Sequence, residues 1–185
     1  MITDEVMEKH YVDSIRECGA SMENLARSMY AGFVLTDYTV YKMAEEEGGL
    51  EIGKKVHKNA WFRHVPWVIK DGRELFKLWE VKDIPTVGRF IKLMYERISC
   101  PLFVKEDTAD RWVGVVHACP IVPFSIGLFD EKLGCPYHQS LADTLTAVNN
   151  EIVNQLGLSN EIEVICDKFI CRGDPYDEVI LQWRK

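Results

Sequence analysis

The sequence predicts an α+β fold: helices through the first hundred residues, then an antiparallel sheet of about four strands packed on one long helix. Three observations carry this. Apolar residues recur at helical spacing as far as Ser99. The texture turns β-branched and aromatic at Cys100. Over residues 136–157 the apolar positions Leu141, Leu145, Val148, Ile152 and Leu156 step by three or four, and Gly157 closes the run.

Taken in order, "SMEN" supplies a helix start, and Leu25, Met29, Gly32 and Phe33 follow at helical spacing. Residues 50–69 continue the rhythm, with Val56, Ala60, His64 and Trp67 on one face. Gly48-Gly49 and Asp71-Gly72 punctuate it. "IPTVGRFIKLMYERIS" sets Val87, Phe90, Ile91 and Met94 on one stripe, with Pro85 near its start. "CPLFVKED" and "RWVGVVHAC" read as two strands, joined near "TAD" in a hairpin that Pro120 and Pro123 terminate. After the long helix, "EIEVICDKFIC" and "DEVILQW" form a second hairpin across "RGDPY". Residues 1–98 are a helical region and 99–185 an α+β core, or the two are one fused domain.

Composition narrows the function classes. The chain has 185 residues, 47% hydrophobic and 28% charged, ordinary for a globular protein with a core. Its 22 Lys and Arg against 29 Asp and Glu leave a net charge of −7, which argues against duplex nucleic acid as a partner. "MITDEVMEKH" lacks the basic and apolar regions of a signal peptide, and no apolar run is long enough to span a membrane. A cytoplasmic location follows, where six cysteines are expected as free thiols or metal ligands. There is no Gly-rich phosphate loop, no paired CxxC and no nucleophile-elbow serine. "RGD" at 172–174 is read as turn chemistry rather than a cell-adhesion motif.

Chemistry is concentrated in "KLGCPYHQSLADTL". With Pro136 at the first helical position, Cys135 caps the long helix and faces unpaired N–H groups. The helix mouth should lower its pKa and favour thiolate. His138 lies in the first turn. The pair could ligate a metal or act as nucleophile and base; otherwise Cys135 is a small cap and His138 a turn residue. Alternation places His117 and Cys119 on one strand face, His117 as a further catalytic candidate and Cys119 as a pocket residue. Cys166 and Cys171, five apart, point to opposite faces. Cys171 and Asp177 flank the last turn and could share a cation, or Cys171 stays a protonated, inert thiol. "WFRHVPW", residues 61–67, is either core or the roof of an apolar ligand pocket through Trp61, His64 and Trp67.

"CPYHQSLADTL" followed by "EIEVICDKFICRGDPYDEVIL" resembles the end of the 4-vinyl reductase domain family and of the related L-2-amino-thiazoline-4-carboxylic acid hydrolases. The shared pattern is a strand, Cys171, the turn of Gly173 and Asp174, and a last strand, with Asp177 standing where a second Cys would. The likeness covers roughly residues 100–185, and "EEEGGLEIGKKV" resembles the hydrolase-type proteins. It implies an antiparallel sheet packed on helices, a fold shared with nitric-oxide-signalling sensors and Golgi-transport tethering subunits. It also implies metal or ligand binding through cysteines, here a mixed site of Cys135, His138, Cys171 and Asp177 suited to zinc, iron or manganese. Two functions compete foremost. One is a small hydrolase opening a cyclic C–N bond of a small-molecule substrate, by Cys/His chemistry or a divalent metal. The other is a non-catalytic, sensor-type ligand-binding domain. A pure assembly scaffold is the third reading, and a homodimer is left open.

Overall fold

A computed structural model describes residues 21–185. Cys18, and the side chain of Leu25 on the expected apolar stripe, lie outside the described residues and side chains. Helix α1 spans Met22–Gly48, with Ser21 as its cap accepting from the Asn24 amide. It is followed by α2 (Leu50–Phe62), α3 (Val65–Phe76) and α4 (Ile84–Arg97). The sheet begins with β1 (Leu102–Asp107) and β2 (Arg111–Val116). Helix α5 (Ile121–Phe129) and the long α6 (Pro136–Gln155) come next. The chain ends with β3 (Ile162–Lys168), a 3-10 turn at Ile170–Arg172, and β4 (Asp177–Trp183). The sheet is antiparallel in the order β1-β2-β4-β3. This is the α+β architecture the sequence predicts.

Most elements form where the residues demand. Asp83 caps α4, its carboxylate accepting from the Thr86 amide at 2.7 Å, and Pro85 sits in the first turn where its missing N–H is not needed. Val87, Phe90, Ile91 and Met94 are buried, as their stripe predicts. So are Leu141, Leu145, Val148, Ile152 and Leu156 on α6. Gly157 closes α6 at φ 84°, the left-handed conformation in which a side chain would be strained.

Two segments differ from the reading. The helix expected over 50–69 breaks at Arg63–His64, because the Pro66 ring cannot continue it. Its buried face is Gly53, His57 and Trp61, and Val56 and Trp67 point outward. The prolines expected to end the first hairpin instead sit at the start of α5, where Pro120 is the cap and Pro123 lies in the first turn. "IVPFSIGLF" is apolar almost throughout and offers no 3.6-residue rhythm to read.

Helices cover one face of the sheet. Helix α4 packs on β1, β2 and β4, while α6 packs on β3 and the 3-10 turn and also meets α2, α3 and α4. Residues before and after 98 share one buried cluster. Trp112 is the hinge of that packing. Its indole folds over Gly114 on its own strand and meets Gly88 of α4. A Cβ added at either glycine would lie 2.5 Å from the ring. Gly88→Ala should therefore reverse the usual helix preference for alanine, worth about 1 kcal/mol, and destabilise by about 1–3 kcal/mol through overpacking. Urea denaturation checks this, with Gly127→Ala, where an added Cβ meets nothing within 4 Å, as the stable control.

Candidate functional site

The most connected polar group in the interior is Asp37 of α1. One carboxylate receives three donors: Trp61 Nε1–H of α2 at 2.7 Å, the Tyr137 hydroxyl of α6 at 2.7 Å, and His57 Nε2 of α2 at 3.0 Å. The other ring nitrogen of His57, Nδ1, lies 2.8 Å from Ser140 Oγ on α6. A carboxylate only accepts, so Nε2 carries the proton and Nδ1 takes the Ser140 O–H. His57 is fully buried and the Asp37 side chain nearly so. Every hydrogen-bonding atom of the imidazole is matched.

The set has the connectivity of a Ser-His-Asp relay, with one piece missing. The Gln139 amide already bonds to the Cys135 carbonyl, so the amides from Ser140 onward belong to the helical ladder. Among the described residues, the α6 amides from Gln139 onward are not free to receive an oxyanion beside Ser140 Oγ. The arrangement therefore holds three helices in register, which a buried, satisfied network does well.

Next to this network lies an apolar cleft. A cavity of about 410 Å³ opens between α1 and α2, lined by Met29, Phe33, Val40, Trp61 and His64 among others. A smaller one of about 130 Å³ adjoins it toward α3 and α4, sharing Phe33, Trp61 and His64 and adding Trp67, Met94 and Arg97. The sequence-predicted pocket residues Trp61, His64 and Trp67 are thus together. Trp61 is buried with its N–H spent on Asp37, and His64 stands exposed at the rim. Trp67 is half exposed under the Arg97 guanidinium, 4.8 Å from its ring centre.

The cysteine and histidine candidates fare differently. Cys135 caps α6 as expected, but its side chain makes no cap hydrogen bond. Burial pushes its thiol up, and neighbouring Glu131 adds to this against the pull of the His138 and Tyr137 amides. The expected thiolate is therefore corrected to a thiol. His138 is buried, its Nε2 bonded to Ser125 Oγ at 2.7 Å, and burial lowers its pKa. Because Ser125 Oγ donates its own hydrogen to the Val122 carbonyl, Nε2–H must be the donor. His138 is thus committed to Ser125.

β2 ends at Val116, so His117 and Cys119 do not share a strand face: His117 is exposed beside Phe103 and Tyr176, and Cys119 is buried. Among the described residues no three His, Cys, Asp or Glu side chains gather as a metal-binding group, so Cys135, His138, Cys171 and Asp177 do not converge. Burial, then the Asp177 charge, raises the Cys171 thiol. Asp177 accepts from the Ile170 amide. The sequence reading missed Asp37, His57 and Ser140 altogether. Their one local signal is a buried helical face marked by Gly53, His57 and Trp61 among lysines.

No family model and no curated protein matches this chain. Among solved structures it is similar to a trafficking protein particle complex subunit 3 from Naegleria fowleri, in a structure described as covalently bound to palmitic acid. The TM-score is 0.57 at 12% identity, over 86% of this chain and 97% of that one. The likeness shows the fold, the Golgi-transport ligand-binding type named above. The 4-vinyl reductase resemblance stays at the level of the residues that carry it.

Two outcomes follow from this geometry. Asp37→Ala strands three buried donors and should cost about 3–5 kcal/mol, whereas Ser140→Ala should cost only about 1 kcal/mol, as urea unfolding would show. Burial raises the Asp177 carboxyl from 3.8 to about 6. A folded-state pKa above the unfolded one means a contribution fully present below pH 4 and lost as pH rises through 6. Asp177→Asn keeps the acceptor for the Ile170 amide and should erase that loss, on the order of 2 kcal/mol between pH 4 and 7.

Proposed function

We propose that the chain binds, without turnover, a small apolar ligand with an acidic head group, of which a fatty acid is the model. One observation carries this: two adjoining cavities, walled by Phe33, Trp61 and aliphatic side chains, with His64 and Arg97 at the rim. The larger cavity, about 410 Å³, falls in the range of small-molecule pockets, and an apolar wall with few polar groups is what such pockets share. The structural neighbour's palmitate supports the class of ligand. Arg97 also pairs with Asp71, so its guanidinium is already positioned when a head group arrives.

The hydrolase reading has less support. It needs an activated Cys135 or a metal, while the thiol is pushed up and His138 is held by Ser125. A cyclic C–N substrate would also need polar groups to orient it, and the cleft offers few.

Gly32 gives a clean test. It lines the larger cavity, and a Cβ there meets nothing within 4 Å. Gly32→Phe should fill the cleft while gaining helix propensity. Wild type should bind palmitate saturably with a shift in Trp fluorescence, and Gly32→Phe should weaken binding at least about tenfold. Absence of saturable binding, or equal binding by the filled variant, would rule the reading out.

A further inference from the structure

We infer that the groove between α2 and α6 is a second binding site, independent of the apolar cleft, for a phosphate-type oxyanion. This cavity of about 240 Å³ has walls of Glu51, Lys54, Lys55 and Lys58 from α2, and its floor is Ser140 and Thr144 from α6, with Asp143 beside them.

The charges do not cancel. Lys54 is paired with Glu51 at 3.0 Å, and Asp143 is taken by Arg172. Lys55 and Lys58 have no ion-pair partner among the described residues. Two of the lysines that line the groove are therefore left without a carboxylate of their own, in a chain whose net charge is −7. A merely solvated lysine face would account for that much, but not for what lies beneath.

The floor supplies the second observation. Thr144 is 1% exposed and lines the groove. Its hydroxyl makes no hydrogen bond among the described residues, although Thr36 and Thr146 each bond to the carbonyl four residues earlier in their helices. The side chain is buried but its hydroxyl is not among the sealed, unpartnered polar atoms of the interior, so what little of Thr144 is accessible leaves this oxygen open to whatever occupies the groove. Ser140 cannot serve, because its hydrogen is given to His57 Nδ1. Thr144 is thus the free donor, with two lysines above it. One O–H donor below and two cations above suit a compact oxyanion with several acceptor oxygens. A carboxylate would offer only two such oxygens.

The source of the anion is either a free phosphate compound or a lipid head group, and the test separates them. Inorganic phosphate is titrated into the ¹⁵N-labelled chain at low ionic strength, where screening is weak. In parallel, flotation is measured with phosphatidylcholine vesicles with and without phosphatidic acid. Saturable amide shifts around 140–144 with phosphate point to a soluble ligand. Flotation that needs phosphatidic acid, with no response to phosphate, points to a lipid head group. In either case Thr144→Val, and separately Lys55→Ala with Lys58→Ala on the exposed surface, should weaken binding by about tenfold. No binding in both arms, or binding unchanged in both variants, would overturn the inference. The palmitate-blocking Gly32→Phe variant should leave this site intact, so the two readings fail separately.

Discussion

The carboxylate of Asp37 is the constraint on which the helical half of the structure depends. It lies almost out of water, where an unmatched charge would cost several kcal/mol, and three donors from two other helices converge on it. Such a group acts as a register pin. Sliding α2 by one turn would remove both His57 and Trp61 from reach, and rotating α6 would remove Tyr137. Hydrophobic burial alone tolerates many packings of similar volume, whereas three directed bonds to one carboxylate tolerate very few. The pin also sets the walls of both cavities: Trp61 is held against the apolar cleft, and through His57 the network places Ser140 at the floor of the basic groove.

The sheet and α6 were legible because their signals are local. Leu141, Leu145, Val148, Ile152 and Leu156 repeat at a period only a helix satisfies, and the β-branched runs alternate as strands do. The break at Arg63–His64 was written in Pro66, yet the apolar letters on either side joined into one false stripe through Val56 and Trp67. The buried stripe instead uses Gly53 and His57, which carry no hydrophobic signal. Asp37, His57 and Ser140 were beyond reach for a different reason. His57 is 20 residues from Asp37 and 83 from Ser140. Only the packed helices bring them together, and no spacing rule spans such separations. Trp61, His64 and Trp67 could be singled out as pocket residues because aromatic clusters announce themselves in composition; which side of the helix they line could not.

Cys135 shows how two effects at one atom are weighed. A helix mouth stabilises an anion by about 0.3–1 kcal/mol, and more only in favourable geometry. Removing a thiolate from water and setting it beside Glu131 works the other way, and here it wins. Position at a cap was legible from Pro136; the neighbouring carboxylate arrives from the preceding loop and was not. The buried thiols Cys166 and Cys171 follow the same rule, with burial as the leading cause in each. Cys166 and Cys171 thus sit where a small, polarisable group fits a core, and among the described residues Cys135, His138, Cys171 and Asp177 do not gather as a metal-binding group.

A Ser-His-Asp connection in the interior suits the binding reading proposed above better than catalysis. A general base must take a proton from a nucleophile while something else receives the charge that develops on the substrate. In this network the Ser140 hydrogen lies toward His57 and the His57 hydrogen toward Asp37, so the direction of transfer is available. The receiving half is lacking, since the amides near Ser140 are bonded within α6 and Ser140 itself is only 1% exposed. Among the described residues the cations that line the groove without a carboxylate of their own are Lys55 and Lys58, which would hold an anionic ligand in its ground state as firmly as in any transition state. Interactions of equal strength in both states give affinity without rate. The same residues form a rigid wall between two cavities, and rigidity is what lowers the entropic cost of holding a ligand.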